Sequence, residues 1–454
     1  MGSTLSLRRK IGKRPIVIWG ARMTGIGLVR YAKAHGINVL AFIDSDTSLA
    51  GQQVNGIPVY LPDVLTTIQV DHPNVILVIA VSIKEKEILL LLNALGLSKL
   101  DRLVYSDFSD LFYTIDVVGT CNLKCLSCAH SIEKHNVPRG VMKYKDFTRV
   151  VDKIIDESKL VTHISLYSWG EPFLHPEIDK IVRYLHDRNI AVALSSNLSI
   201  RFEDRLEKVM EQSPDYLKIS TSGYFPEAYN NTHAGGDVNL VKSNLYKLRY
   251  LLDKYNVGTL VDVNYHLYRD NNGINLQKMK DLCGELGFVL STVHALVMPL
   301  ERVIRHCEGS PDFQTKLLTD NLLVDIDEGI AASQIDQDSA GACGYRDNQV
   351  NINSDLTVPV CCTVFNRDSN VVAENFLESS PDGIQEKKNS AEICKKCMAY
   401  GLPAYNMGFN REDWNKIASG KESRDVGQST STLDRVLNSL SISSSPQIKR
   451  KDIA

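Results

Sequence analysis

The chain has 454 residues, 43% of them hydrophobic and 23% charged, with a formal net charge of −3. This is the composition of a globular protein, long enough for about two to four domains. The slight acidity argues against a dedicated nucleic-acid surface, and no apolar run is long enough for a transmembrane helix. Met1–Arg14 is basic, with Arg8, Arg9, Lys10, Lys13 and Arg14, but no apolar segment with a cleavage site follows. The expectation is a cytoplasmic chain without a secretory signal. Of ten cysteines, eight fall in two groups, 121/125/128 and 343/361/362/394/397. Grouped thiols in a reducing compartment point to metal or cluster ligation rather than to disulfides.

In chain order, residues 13–107 read as a small α/β unit. A strand at 15–19 runs into Gly20-Ala-Arg-Met-Thr-Gly25-Ile-Gly27 and an amphipathic helix to about His35. A second strand, 38–43, ends at Asp44, and a third spans 75–81. In a strand, glycine loop, helix, strand, acid arrangement, helix amides can hold phosphate and the acid can meet a ribose. The glycines are spaced G-x4-G-x-G rather than G-x-G-x-x-G. Two readings therefore stand side by side: a nucleotide site, or a Rossmann-like scaffold whose glycines only let helix and strand approach. The segment resembles, in pattern, small N-terminal Rossmann-like domains of sugar-modifying enzymes.

Residues 108–300 alternate strands with helices. Strands are expected at 112–118, 163–169, 191–196, 216–221, 259–267 and 287–293. A helix at 144–158 presents Phe147, Val150, Val151, Ile154 and Ile155 on one face, and Ile178, Ile181, Val182 and Leu185 do the same further on. Such alternation implies a parallel α/β sheet, open or curled into a partial barrel, with its chemistry at the carboxyl ends of the strands.

Directly after the first of these strands comes Thr-Cys-Asn-Leu-Lys-Cys-Leu-Ser-Cys, with Cys121, Cys125 and Cys128 spaced C-x3-C-x2-C. Three thiolates from one loop suit an iron–sulfur cubane with one iron left open. A zinc site completed by His130 or His135 is the competing reading. Ser168-Trp169-Gly170-Glu171-Pro172 ends the second strand, Ser195-Ser196-Asn197 the third and Ser220-Thr221-Ser222 the fourth, all on one rim.

On the cysteine loop and the Gly-Glu-Pro motif, residues 112–297 resemble the radical S-adenosylmethionine (SAM) enzymes. The resemblance implies a partial (β/α)6 TIM-like barrel in which Cys121, Cys125 and Cys128 hold a catalytic [4Fe–4S] cluster. Its open iron would chelate SAM. Gly170 and Glu171 would receive the methionine ammonium, with Pro172 beside them as part of the cofactor-binding motif and Ser195, Asn197 and Ser220 as carboxylate and ribose contacts. The radical made from SAM would take hydrogen from substrate, with an electron donor such as flavodoxin or ferredoxin as partner. Ser127 stands where many members carry an aromatic, and Trp169 where a second glycine is common.

After an acidic linker at 301–342, residues 343–410 bracket an expected β-hairpin, turning at Asn353–Asp355, with cysteines. This resembles the SPASM or twitch module of the same enzymes. It implies one auxiliary [4Fe–4S] cluster on Cys343, Cys361, Cys394 and Cys397, with Cys362 on the opposite strand face. A zinc ribbon is the alternative. Cys283 reads as a core hydrophobe, while Cys307 is a candidate hydrogen-atom donor. Residues 420–454 read as a disordered tail. The whole suggests an oxidoreductase or isomerase acting on a small polar, carbohydrate-like substrate, with a nucleotide as a candidate ligand of the N-terminal unit. A radical SAM/SPASM peptide maturase is the alternative, and a non-catalytic zinc-binding interaction protein the alternative of another class.

Overall fold

The computed structural model describes residues 4–109, 111–131, 139–334, 343–368, 370–421 and 423–424. His135 and the expected tail beyond residue 424 lie outside the described residues. No helix among the described residues is long and apolar enough to cross a membrane.

The N-terminal unit is a six-stranded sheet of order β3-β4-β2-β1-β5-β6. Its strands are β1 (Ile16–Trp19), β2 (Val39–Ile43), β3 (Gln53–Val54), β4 (Ile57–Tyr60), β5 (Ile76–Ile79) and β6 (Arg102–Leu103). Every pairing is parallel except β3 with β4. All four residues of β1 and all four of β5 are buried, the pattern of central strands covered on both faces.

The second sheet has seven strands in the order β12-β11-β10-β9-β8-β7-β13. They are β7 (Phe112–Ile115), β8 (His163–Ser165), β9 (Ala191–Ser196), β10 (Tyr216–Thr221), β11 (Leu260–Leu267), β12 (Val289–His294) and β13 (Gln349–Ile352). Strands β7 to β12 neighbour one another in chain order and pair in parallel, as an unclosed (β/α)6 barrel does. Phe147, Val150, Val151 and Ile154 of the helix Tyr144–Glu157, and Ile178, Ile181, Val182 and Leu185 of the helix Ile178–His186, are buried in its outer layer. β7 and β8 stop short of the expected 118 and 169. Asp116 N–H donates instead to the carbonyl of Ile352 at 2.8 Å, and the chain beyond β8 turns into the rim.

The expected hairpin at 349–362 is corrected in its pairing. The chain does reverse, with the Asn353 N–H donating to Thr357 at 2.9 Å. However, β13 joins the open edge of the barrel in parallel with β7. The returning strand β14 (Val358–Pro359) pairs with β15 (Val371–Ala373). An unpaired barrel edge offers β13 a longer ladder than a short hairpin partner would. The stretch expected as a linker carries the helices Leu300–Cys307, Phe313–Thr319 and Ile326–Ala332.

The N-terminal unit closes the amino end of the barrel. Its helix Met23–Ala34 lies so close to the start of β8 that a Cβ on Gly27 would overlap the carbonyl of Thr162. Ile26 and Tyr31 share one apolar core with Leu160, Ala193, Tyr216 and Val289 of the barrel. Arg22 completes the junction, pairing with Asp262 on β11 at 2.7 Å and with Asp46 at 2.8 Å.

Candidate active site

The loop carrying Cys121, Cys125 and Cys128 leaves β7 at its carboxyl end, where the three thiols are half-buried. Burial, followed by the charge of Glu171, pushes the Cys121 thiol up to about 12. Burial takes Cys128 to about 11. Cys125 is raised by burial and then by the charges of Cys128 and Cys121. Three such thiolates disfavour one another, and a cationic metal centre is the partner that relieves the repulsion. Among the described residues no three His, Cys, Asp or Glu side chains converge closely enough to hold a single ion. A cubane spreads its thiolates around a larger body. The three thiols of one loop, with Cys125 raised by the charges of the other two, are a donor set such a cluster takes. His130, offered as a zinc ligand, packs edge-on to Phe365 with centroids 5.6 Å apart.

Behind this loop lies Asp116, an acid inside the apolar run Tyr113–Val118 and 2% exposed. Its carboxylate accepts the N–H groups of Trp169 and Gly170, each at 3.2 Å. Burial raises it to about 7 against the pull of these amides. A Cβ at Gly170 would overlap the Val118 carbonyl, so only glycine lets the rim lie against the cysteine strand. Trp169 turns away to Phe365, centroids 5.3 Å apart, in a small apolar group with Ala129. The serine standing in the usual aromatic position, Ser127, hydrogen-bonds Tyr268.

The expected cofactor contacts separate into two sets. Gly170, Ser195 and Ser220 line the large cavity described below. Glu171 does not present its carboxylate there. At 2% exposure it accepts from the N–H groups of Phe173 at 3.1 Å and Asn197 at 2.9 Å. Burial raises it to about 7. Pro172 is buried at the start of a one-turn helix. Asn197 donates to Asn122 at 3.0 Å and to the Cys121 sulfur at 3.7 Å. Glu171 and Asn197 thus brace the rim against the cysteine loop, each Glu171 oxygen accepting one main-chain amide and keeping a lone pair for a further donor.

Arg302 was not visible as a site residue in the sequence. It is fully buried and donates to the carbonyls of Leu126 and Met298, each at 3.0 Å, so a cation sits against the cysteine loop. Its position in the helix Leu300–Cys307, eight residues beyond β12, carries no local motif. Asp116 does leave a signal, as the one charged residue in the run Phe112–Val118.

The four C-terminal thiols Cys343, Cys361, Cys394 and Cys397 line a single small cavity with Tyr345 and Thr363. Cys394 and Cys397 come from the helix Glu392–Ala399. Lys388, wholly buried beside them, donates to the Gln349 carbonyl. Burial lowers its ammonium to about 8 although the thiol charges of Cys361, Cys362 and Cys394 oppose the shift. Cys362 faces the other way, into the large cavity. Cys307 is not among the residues lining that cavity. It ends the helix Leu300–Cys307, half-buried, with Asp327 close enough to raise its thiol further after burial. Cys283 is 1% exposed in the barrel's outer layer.

The large cavity, about 1460 Å³, runs through the barrel. Ser168 and Gly170 stand at its rim, Ser165, Ser195, Lys218 and Ser220 along its walls, and Gly20, Asp44 and Ser48 at the N-terminal unit. At that end the glycines have a structural explanation. A Cβ on Gly25 would overlap the Gly20 carbonyl, and the Asp44 carboxylate already accepts the Ala21 N–H at 3.0 Å.

Comparison with known proteins bears on this geometry. The profile described as "Radical SAM superfamily" matches residues 115–265. A probable GTP 3′,8-cyclase of Methanococcus maripaludis strain C7 is 26% identical over 196 residues, 43% of this chain and 61% of that protein. The AdoMet-dependent heme synthase of Methanosarcina barkeri is 25% identical over 204 residues, 45% of this chain and 55% of that one. The chain thus spans about three fifths of the length of the curated relatives it matches. Among solved structures, Streptococcus suis SuiB bound to its precursor peptide SuiA aligns with a TM-score of 0.45 at 13% identity, over 65% of this chain and 70% of that one. Residues 115–265, the part that matches the radical SAM superfamily profile, contain both the three-cysteine loop and the Gly170 rim.

Proposed function

We propose that the protein is a radical SAM enzyme that abstracts a hydrogen atom from a polar, carbohydrate-like substrate held in the barrel; loss of a further electron and a proton from the substrate radical gives oxidation, and return of a hydrogen atom to its opposite face gives epimerisation. On this reading Cys121, Cys125 and Cys128 hold the SAM-binding cluster, and Cys343, Cys361, Cys394 and Cys397 an auxiliary one. When bound, the first cluster and SAM supply reductive cleavage of the sulfonium and a radical able to take hydrogen from an unactivated carbon. The chain's own residues supply position. Asp116 holds the Trp169–Gly170 amides, Glu171 ties that rim to Asn197, and Asn197 steadies Cys121. Ser195 and Ser220 offer hydroxyls to the cofactor's polar groups from the cavity wall.

The observation that carries the reading is the continuity of the cavity from the Gly170 rim to the Gly20 loop, with Tyr345 lining both it and the auxiliary thiol pocket. A substrate of two polar parts fits that length, with one part at the N-terminal unit and the reacting part under the rim. Because Tyr345 lines both cavities, an auxiliary cluster on those thiols would adjoin the substrate space and could accept the electron of the substrate radical left by hydrogen abstraction. A flavodoxin or ferredoxin is the electron donor this chemistry asks for, and reduced thiols of this number suit the cytoplasm.

Anaerobic protein would be incubated with SAM, reductant and either sugar nucleotides or peptides, following 5′-deoxyadenosine release. Turnover stimulated by a sugar nucleotide supports the proposal. Stimulation by peptides alone would replace it with a peptide maturase, and zinc in place of iron would replace it with a structural metal protein.

A further inference from the structure

Charge is distributed unevenly in the large cavity. At its base Arg22 faces Asp44 at 3.7 Å, Asp46 at 2.8 Å and Asp262 at 2.7 Å. At its outer edge Lys84 pairs with Glu87 at 3.4 Å, and Arg411 donates to the Thr292 carbonyl. Lys280 is exposed there, as are Glu412 and the neighbouring carboxylate of Asp413. Lys218 differs from all of these. It is half-buried on β10, one pleat below Ser220 and one above Tyr216.

Its strand partners are Ser195 and Asp262. Asp262 is committed elsewhere, accepting from Arg22 at 2.7 Å, Tyr216 at 2.9 Å and Ser291. The Lys218 ammonium lies 4.8 Å from the centre of the Tyr167 ring. Among the described residues it has no carboxylate within ion-pair reach. The imidazoles at this level add no charge of their own. Burial holds His163 near 4, and burial together with the Lys218 charge holds His266 near 4, so both are neutral at pH 7.

An ammonium inside a cleft without a counter-charge is unfavourable until an anion arrives. Thr114 and Ser165 open onto the same cavity as Lys218, so hydroxyl groups share the space with the charge. A compact cation with separate hydroxyls suits the tetrahedral oxygens of phosphate, whereas a planar carboxylate is better met by the fork of an arginine. Resting on the function proposed above, we infer that Lys218, with Thr114 and Ser165, binds a phosphate or diphosphate group of the substrate. The substrate is then a phosphate ester whose anionic part sits mid-barrel, between the Gly20 loop and the Gly170 rim.

Calorimetric titration of inorganic pyrophosphate into the anaerobic, cluster-loaded full chain tests this. The wild type binds, and Lys218→Met weakens binding about tenfold or more, the scale of one charge-assisted hydrogen bond. Lys218→Arg, which keeps the charge and reports on folding, stays within about threefold. SAM binds Lys218→Met as it binds the wild type, and acetate does not displace pyrophosphate. The inference is overturned if the wild type ignores pyrophosphate, if Lys218→Met binds it normally, or if acetate competes equally. It is equally overturned if the loss falls on SAM alone, which would assign Lys218 to the cofactor's own carboxylate. Normal pyrophosphate binding in a protein unable to cleave SAM would instead remove the proposed function and leave the anion site standing.

Discussion

The carboxylate of Glu171 accepts the main-chain N–H of Asn197 at 2.9 Å, joining the rim after β8 to the end of β9. Its other oxygen accepts from Phe173 at 3.1 Å. Glu171→Ala leaves both buried amides without an acceptor, at about 1–3 kcal/mol each. The expected outcome is a loss of SAM affinity of about tenfold or more, with the melting temperature also lowered. Glu171→Gln keeps one accepting oxygen and loses less. If the carboxylate instead met the methionine ammonium directly, Gln would be nearly as damaging as Ala, and calorimetry with SAM separates the two.

Gly170→Ala places a methyl group against the Val118 carbonyl and pushes the rim away from Asp116. The expected result is SAM binding and cleavage reduced about a hundredfold, with the circular dichroism spectrum retained, because the rim moves while the barrel core does not. Asp116→Ala, which releases the same amides without adding bulk, lowers SAM affinity less.

Metal content divides the cysteines. Cys125→Ala removes the SAM-site iron and leaves the auxiliary iron, whereas Cys394→Ala does the reverse, each holding about half of the wild-type iron and sulfide. Cys362→Ala keeps all of it, since Cys362 faces the large cavity while Cys361 faces the thiol pocket. Iron and sulfide assays on anaerobic samples check all three.

Two buried histidines make stability fall on acidification. Burial lowers His163 to about 4, and burial with the neighbouring His266 lowers His233 to about 3. The folded protein therefore binds fewer protons than the unfolded chain below about pH 6.5, the ordinary histidine value. Stability is full above that pH and is lost as pH drops towards the folded values. Each residue contributes a slope of up to about 1.4 kcal/mol per pH unit within the window. Melting temperatures between pH 7 and pH 5 should fall, and His163→Asn should shallow the fall.

Gly27→Ala tests the seam between the N-terminal unit and the barrel. The added methyl meets the Thr162 carbonyl, and overpacking of this kind costs about 1–3 kcal/mol. Denaturant unfolding should show that loss.

The contiguous motifs were legible because their spacing is itself the geometry. Three thiols within eight residues fall on one loop, and an apolar run followed by a helical face makes each strand–helix unit. The hairpin at 349–362 was misread because an isolated stretch cannot reveal that β7 offers an open edge. That Glu171 and Asn197 brace the rim is not legible in the sequence, because a polar residue at a strand end does not show which way its side chain turns. Arg302, Lys388 and Lys218 acquire meaning from neighbours far away in sequence: Leu126, Gln349 and Tyr167 respectively. Burial and charge at those positions follow from the assembled fold, and no local pattern encodes them.

Reductive cleavage of SAM by the dithionite-reduced, anaerobic protein, followed as 5′-deoxyadenosine by chromatography, tests the central claim most directly. The wild type should release the nucleoside and Cys125→Ala only background. An iron-replete wild type that leaves SAM intact, or a Cys125→Ala protein that cleaves it at the wild-type rate, would contradict the account.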